Sequence, residues 1–259
     1  MTQPLAATTT LTARSVVISA LLGYHPPELP ISALVRIGGL FGIADGTVRV
    51  AVGRMVTDGD LVFADGVYRL TERLIERQAA QDESCSPRTK FWRGSWELAM
   101  VTAPTRPRAE RDALRRIMTQ LRMAELREGV WTRPANLVAA RPQEVLAQCT
   151  FFSGRPEEDP RELAASLWDL ETWAGTARGL HVELATCTGL VEGFLLTAEI
   201  LHLLRADPVL PPELLPADWP GPELRADYAE FSVAYAELLR DYSLGGTAAN
   251  STTDPPGRR

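Results

Sequence analysis

The sequence predicts an α+β protein with three folded segments, at about residues 13–80, 91–155 and 160–244. In the first two segments, apolar residues at helical spacing alternate with short β-prone runs, whereas the third segment is helical throughout. Two polar interruptions, Ala79–Lys90 and Arg155–Pro160, separate the segments. The 259 residues are enough for about two average domains.

The composition is that of a soluble globular protein, with 45% hydrophobic and 23% charged residues. No apolar stretch reaches the roughly 20 residues of a membrane span, and no basic region precedes an apolar core near residue 1. We therefore expect a cytoplasmic protein. The Thr- and Ala-rich residues 1–12 and the Gly-, Ser- and Pro-rich residues 245–259 are expected to be disordered.

The net charge of −6 is unevenly distributed along the chain. Residues 1–80 are neutral, residues 81–150 carry +4 and residues 151–259 carry −10. Such asymmetry is expected when one end of a chain meets nucleic acid, although ordinary variation between domains also produces it.

The first segment begins with two predicted helices. Val16, Val17, Ala20 and Leu21 recur at helical spacing, and Gly23 ends that helix. Pro30 begins the second, which places four apolar residues on one face before Gly42 breaks it; these are Leu34, Ile37, Leu40 and Phe41.

A third helix is predicted from Gly46 to Asp58, with Asp45 as its N-cap. Its apolar stripe is Val48, Ala51, Val52 and Met55, which leaves a second set of residues on or beside the outward face. That set is Thr47, Arg49, Val50, Gly53 and Arg54.

Two β-prone runs follow, Leu61–Ala64 and Val67–Leu70, separated by Asp65 and Gly66. Asp-Gly between such runs is the strongest short hairpin signal. Three helices followed by a hairpin are the element order of a winged helix-turn-helix, whose third helix fits the major groove of DNA.

We therefore expect the third helix to bind DNA through Thr47, Arg49, Val50 and Arg54, with Arg69 as the one basic residue of the wing. Arginine can reach guanine edges or phosphates, and threonine can bond a phosphate or contact a thymine methyl. The alternative is that these residues only decorate a solvated helix.

The second segment predicts a small α+β layer. A strand pattern over Trp96–Val101 precedes a helix after Pro104 and Pro107, with Leu114, Ile117, Met118 and Leu121 on its apolar face. Further strands are expected at Gly129–Arg133 and Cys149–Ser153, with a short helix over Pro142–Leu146. Four arginines lie on another stripe of the longer helix: Arg108, Arg111, Arg115 and Arg122. They could contact DNA phosphates or acidic groups of a partner, but a solvated face is the favoured interpretation.

The third segment predicts a small helical bundle. Leucines and tryptophans recur at helical spacing from Leu163 to Trp173, and further helices are expected over Leu190–Leu204 and Leu224–Tyr242. The connection Asp207–Gly221 contains five prolines, which forbid a continuous helix, and apolar side chains that require burial. An ordered, packed connection is expected.

The sequence resembles the PaaX family of bacterial repressors of phenylacetate catabolism over about residues 13–242. The most specific matching stretches are ARS at 13–15, GIADGTVRVAVGRMVTDGDL at 42–61, YRLT at 68–71, LREGVWTRPANL at 126–137, WDL at 168–170 and DPVLPPELLPADWPG at 207–221. The resemblance implies a winged helix-turn-helix, a small ferredoxin-like (Cas2-like) α+β middle domain and an all-helical C-terminal domain.

The resemblance also implies a dimeric transcriptional repressor that an aryl acyl-CoA thioester, such as phenylacetyl-CoA, releases from its operator. A CoA ligand needs guanidinium groups for its phosphates and an apolar slot for its acyl group. The candidates for this ligand site are Trp173, Arg178, Phe194, His202 and Arg205. The alternative is that they have no ligand and are simply core residues of a helix bundle and arginines on its surface. The alternative function is a constitutive or architectural DNA-binding protein without a ligand.

An enzyme that uses the helical C-terminal domain is the less favoured hypothesis. The sequence contains no Walker A loop and no H-E-x-x-H, G-x-G-x-x-G or G-x-S-x-G motif. Three widely spaced cysteines and the lone pair Glu199 and His202 are too few for a metal site. We predict no catalytic residues, no metal and no cofactor.

Overall fold

The computed structural model describes residues 11–103 and 107–243, which form two compact units. The first unit contains the chain up to Gln81, Thr188–Gly193 and the chain from Ala229 onward, and the second contains Asp82–Cys187 and Phe194–Tyr228. Most of the expected disordered tails, residues 1–10 and 244–259, and Pro104 lie outside the described residues.

The helices predicted in the first unit are confirmed. α1 spans Ala13–Leu22, α2 spans Ile31–Leu40 and α3 spans Asp45–Thr57. The predicted cap of α3 is wrong: Ala44 occupies the N-cap position without a side-chain hydrogen bond, and Asp45 lies in the first turn. A carboxylate there still favours the helix, because it faces the positive end of the helix dipole.

The predicted hairpin is also confirmed. β2 (Leu61–Ala64) pairs antiparallel with β3 (Val67–Leu70), and Asp65 and Gly66 both have positive φ, 53° and 82°. Positive φ at both central residues is the geometry that favours Asp-Gly in two-residue hairpins. A two-residue strand that the sequence analysis missed, β1 (Glu28–Leu29), adds to β3, so the sheet order is β1-β3-β2.

The polar interruption at Ala79–Lys90 is not an irregular join over its first half. Helix α4 spans Glu72–Cys85 and continues directly from the hairpin. Its Gln78 is buried, and its amide nitrogen donates to the carbonyls of Leu22 (2.7 Å) and Tyr24 (2.9 Å). Gln78 thus satisfies backbone acceptors at the end of α1, which otherwise have no partner within that helix.

One hydrophobic core holds the first unit together. It joins apolar side chains of α1, α2, α3 and the hairpin with Leu74 of α4 and Leu239. Gly38 of α2 lies in the closest part of this packing, because a Cβ at that position would come within 2.5 Å of a Val48 methyl.

The second unit contains a four-stranded antiparallel sheet in the order β5-β6-β4-β7. With its helices it gives the element order β-α-β-β-α-β, which confirms the ferredoxin-like middle domain. The elements are β4 (Trp96–Val101), α5 (Arg108–Gln120), β5 (Ala124–Arg127), β6 (Val130–Pro134), α6 (Gln143–Leu146) and β7 (Cys149–Gly154). Strand β5 is the one that the sequence analysis did not predict.

Helices cover one face of this sheet. Ala99 of β4 and Trp131 of β6 lie on that face, opposite each other in the strand pairing. Both are buried with Leu114 and Met118 of α5. Met100 follows Ala99 in β4, so its side chain lies on the opposite face of the sheet, and it is 40% exposed.

The remaining helices confirm the all-helical C-terminal part. α7 spans Pro160–Leu167, α8 Leu170–Thr186, α9 Leu190–Ala206 and α10 Gly221–Ser243. The connection between α9 and α10 is packed as expected, since Leu210 and Leu214 are buried in a core with tryptophan side chains.

Arg122 does not belong to a solvated arginine stripe. Its guanidinium donates to the carbonyls of Leu204 (3.3 Å), Arg205 (3.4 Å) and Asp207, at the end of α9. Burial lowers the pKa of Arg122. A cation at this end satisfies last-turn carbonyls and offsets the negative end of the helix dipole.

A second arginine of this region, Arg133, is 3% exposed and is satisfied by oxygen acceptors. It donates to the carbonyls of Leu121 (2.9 Å) and Pro134 (3.0 Å) and to the Asn136 side chain (3.0 Å). Burial lowers the pKa of Arg133 to about 10. Asn136 in turn donates to the Val209 carbonyl (2.9 Å), so polar groups link β6 to the connection that follows α9.

No helix among the described residues is long and apolar enough to cross a bilayer.

The contact between Gly38 and Val48 generates a stability prediction. Gly38→Ala should lower the free energy of unfolding by about 1–3 kcal/mol, because Val48 is fully buried and its stiff branched side chain cannot move away. The matched control is the neighbouring Gly39→Ala, where a Cβ meets nothing within 4 Å. Urea unfolding of both variants measures the difference, and equal stabilities would contradict the close packing of α2 on α3.

Candidate nucleic-acid interface

Helix α3 is held by one face and exposed on the other. Val48, Val52 and Met55 are at most 1% exposed and pack among α1, α2 and the hairpin. The helical repeat therefore turns the residues between them away from the core. Three of the four residues of the predicted stripe are therefore buried, whereas the fourth, Ala51, is half-buried.

The opposite side of α3, which we name the recognition face, consists of Thr47, Arg49, Val50 and Arg54, all exposed. Val50 is 56% exposed. In the part of the chain that the structure describes, neither the Arg49 nor the Arg54 guanidinium makes a hydrogen bond or an ion pair. Both cations are therefore available to an external anion.

A buried carboxylate, Asp60, fixes the end of α3 relative to its neighbours. Asp60 is 1% exposed and pairs with Arg14 of α1 and Arg73 of α4. Its backbone N–H donates to the Met55 carbonyl (2.9 Å), and its carbonyl accepts from the Thr71 N–H (3.0 Å). One residue thus connects the end of α3 to α1, to α4 and to the open end of the hairpin.

The sequence analysis did not single out Asp60. A lone aspartate after a helix end is common, and its partners lie 46 positions before it and 13 after it in the chain. Arg14 also pairs with Asp58 (2.9 Å), so one guanidinium contacts two carboxylates.

Arg69, the basic residue predicted for the wing, is already engaged within the protein. Its guanidinium contacts Glu28 (2.6 Å) and Asp65 (3.2 Å). The hydrogen bond that the Arg69 guanidinium donates to Glu28, followed by the one that it donates to Asp65, raises the pKa of Arg69. The hairpin exposes apolar side chains instead, since Val62 is 49% and Phe63 is 56% exposed. The ring centroids of Phe63 and Tyr68 lie 4.8 Å apart.

A cleft of about 600 Å³ lies between the start of α1 and α3; we name it the α1–α3 cleft. Part of the recognition face lines it. Its lining residues are Thr12, Ala13, Arg14, Gly46, Thr47, Val50, Ala51, Arg54, Met55 and Asp58.

The residues suggested for a ligand are spread over α8 and α9. Trp173 is buried, stacks on Trp219 at 4.5 Å and donates its indole N–H to the Leu203 carbonyl (3.0 Å). Phe194 is buried as well. The Arg178 guanidinium pairs with Asp218, whereas His202 and Arg205 are exposed on α9.

Within residues 11–103 and 107–243, no group of three or more His, Cys, Asp or Glu side chains could hold a metal ion. A histidine and carboxylate pair does occur between α8 and α10, where the His181 ring contacts Asp227.

Three protein-family models match the chain in succession. They are described as PaaX-like protein (residues 12–74), PaaX protein central Cas2-like domain (residues 89–164) and PaaX-like protein C-terminal domain (residues 171–243). Together they extend from the N-cap of α1 to the end of α10.

A solved structure is also similar to this chain over most of its length. The uncharacterized protein Rv0674 from Mycobacterium tuberculosis is 44% identical, and the alignment covers 91% of this chain and 100% of that one with a TM-score of 0.79. A comparison with curated proteins found no match.

Proposed function

Because the chain belongs to the PaaX-like family, whose members are generally transcriptional regulators and generally not enzymes, we propose that it is a DNA-binding repressor that reads its operator through α3. As a regulator bound to the chromosome, it would act in the cytoplasm.

The observation that carries this proposal is the recognition face. It places two unengaged arginines, a threonine hydroxyl and an exposed valine on one side of a helix whose other side is buried. Arginine pairs bidentately with guanine, and valine can contact a thymine methyl, so the face can read base edges as well as phosphates.

The hairpin supports a smaller contribution from the wing. Because Arg69 is held by Glu28 and Asp65, its charge is balanced within the protein and adds little attraction for phosphate. The exposed Val62 and Phe63 give the wing an apolar surface, which would contact DNA through van der Waals packing.

We propose a two-fold dimer that reads an inverted repeat. One short recognition helix makes few base contacts, so a single half-site gives limited specificity, and a second half-site adds to it. Closed two-fold symmetry is the commonest arrangement for soluble homo-oligomers.

We also propose that an aryl acyl-CoA thioester releases the repressor from its operator. A ligand lowers operator affinity only if it binds the DNA-incompetent state more tightly, by about 1.4 kcal/mol for each tenfold loss. Of the five ligand candidates, the exposed His202 and Arg205 have the side chains most accessible to a bound CoA, because Arg178 pairs with Asp218 and Trp173 is buried.

The DNA-binding proposal is tested by comparing three arginine variants. Arg49→Ala and Arg54→Ala should each weaken operator binding by about 5- to 100-fold, corresponding to about 1–3 kcal/mol per lost contact. Arg69→Ala is the matched control and should change the Kd by less than about threefold, because its guanidinium is occupied. Gel shift across salt concentrations, on a duplex selected from a random library by the wild-type protein, measures all three. Wild-type binding by both α3 variants would disprove the assignment.

The dimer is tested by light scattering at micromolar protein, where the mass should be twice that of one chain without DNA and that of two chains plus one duplex with operator DNA. A monomer under both conditions would rule it out.

The effector is tested with a panel of aryl and alkyl acyl-CoA thioesters, using the free acids as controls. An aryl thioester should raise the melting temperature and displace the operator, since a ligand that binds the folded protein stabilises it. His202→Ala and Arg205→Ala should weaken this response and leave operator affinity without ligand unchanged. Release by a free acid alone would change the effector class, and no release by any compound would favour the constitutive DNA-binding alternative.

A further inference from the structure

The α1–α3 cleft continues the recognition face onto a second helix. Thr47, Val50 and Arg54 belong to both surfaces, and Thr12 and Ala13 at the start of α1 form the opposite wall. Resting on the DNA binding proposed above, we propose that this cleft seats the sugar–phosphate backbone of one operator strand. The DNA-contact surface then includes the start of α1 as well as α3.

The charges around the cleft suit a phosphate. The Arg54 guanidinium lines it and has no partner among the described residues, whereas the acidic lining residue, Asp58, is neutralised by Arg14 at 2.9 Å. Asp60, which lies behind this pair, is neutralised by Arg14 and Arg73. A phosphate entering the cleft therefore meets one free cation and no unpaired carboxylate of these two.

The hydroxyl of Thr47 adds a neutral donor to this site. It is exposed on the same wall as Arg54, and no group of the described residues engages it. Arginine and threonine side chains are among the groups that commonly bond phosphate oxygens in protein–DNA complexes.

Gly46 leaves room on the wall of the cleft. It lines the cleft within α3, and a Cβ at this position would meet nothing within 4 Å. A glycine on the wall of the cleft lets a nucleic-acid backbone come against α3 without meeting a side chain.

The test is to fill the cleft without removing a charge. Gly46→Leu should raise the Kd for the selected operator duplex at least tenfold and reduce the slope of log affinity against log salt by about one phosphate contact. Its melting temperature should equal or exceed that of the wild type, because leucine is the better helix former. Gly46→Ala adds a single methyl group and should give a smaller loss of about twofold to fivefold.

The matched control is Gly175→Leu in α8, another exposed helical glycine whose Cβ would meet nothing within 4 Å. It should leave operator affinity and the salt slope unchanged. If Gly46→Leu is unfolded, Gly46→Ala decides the result, and wild-type affinity and salt slope in the folded variant overturn the proposal.

The same measurements separate this proposal from the proposed function. If Arg49→Ala weakens binding and Gly46→Leu does not, α3 reads DNA but the cleft is empty in the complex. If Gly46→Leu keeps full operator affinity and loses only the thioester response, the cleft holds a small molecule, which also overturns the proposal. If the wild-type protein selects no duplex, both proposals fail.

Discussion

The first unit depends on the close packing of α2 against α3 at Gly38 and Val48. Only a residue without a Cβ leaves room for the Val48 methyl. Val48, Val52 and Met55 form the buried side of α3. Close-packed interiors tolerate little added volume, so the rotation of α3 about its own axis follows from this contact. That rotation determines which side chains of α3 remain exposed.

The arginines of the first unit include some that pair with carboxylates and some that have no partner among the described residues. Arg14, Arg69 and Arg73 are engaged by carboxylates of the same unit. Arg14 and Arg73 connect α1 and α4 to the end of α3, whereas Arg69 connects β3 to β1. Arg49 and Arg54 have no such partner among the described residues. A surface with paired charges attracts polyanions weakly, whereas unpaired cations attract phosphate. The pairing pattern therefore supports α3 as the surface for the DNA binding proposed above.

The second unit uses arginine differently. Arg122 and Arg133 are directed at backbone carbonyls, and Asp207, buried beside Arg225, is a further charged group in the same region. The bonds of Arg122 satisfy carbonyls at the end of α9, which have no helical partners. Asn136, which accepts from Arg133, donates to the Val209 carbonyl in the proline-rich connection. The connection is therefore held by the side chains of Arg122 and Asn136, as well as by the tryptophan-rich core around Leu210 and Leu214. Both features explain how a segment with five prolines remains packed.

The sequence by itself determined the elements with strong local patterns: α1 to α3 from the spacing of their apolar residues, the hairpin from Asp65 and Gly66, and the outward side of α3 from the helical repeat. Local patterns did not predict β1, because it has only two residues. They did not predict α4 either, because its composition is mostly polar; its buried residues Leu74 and Gln78, one turn apart, pack it against the first unit. Only the tertiary structure decided which arginines are free and where the cleft lies. The reason is that Arg69 meets Glu28 across 41 positions, and Arg14 meets Asp58 across 44, so neither pairing leaves a trace in local spacing.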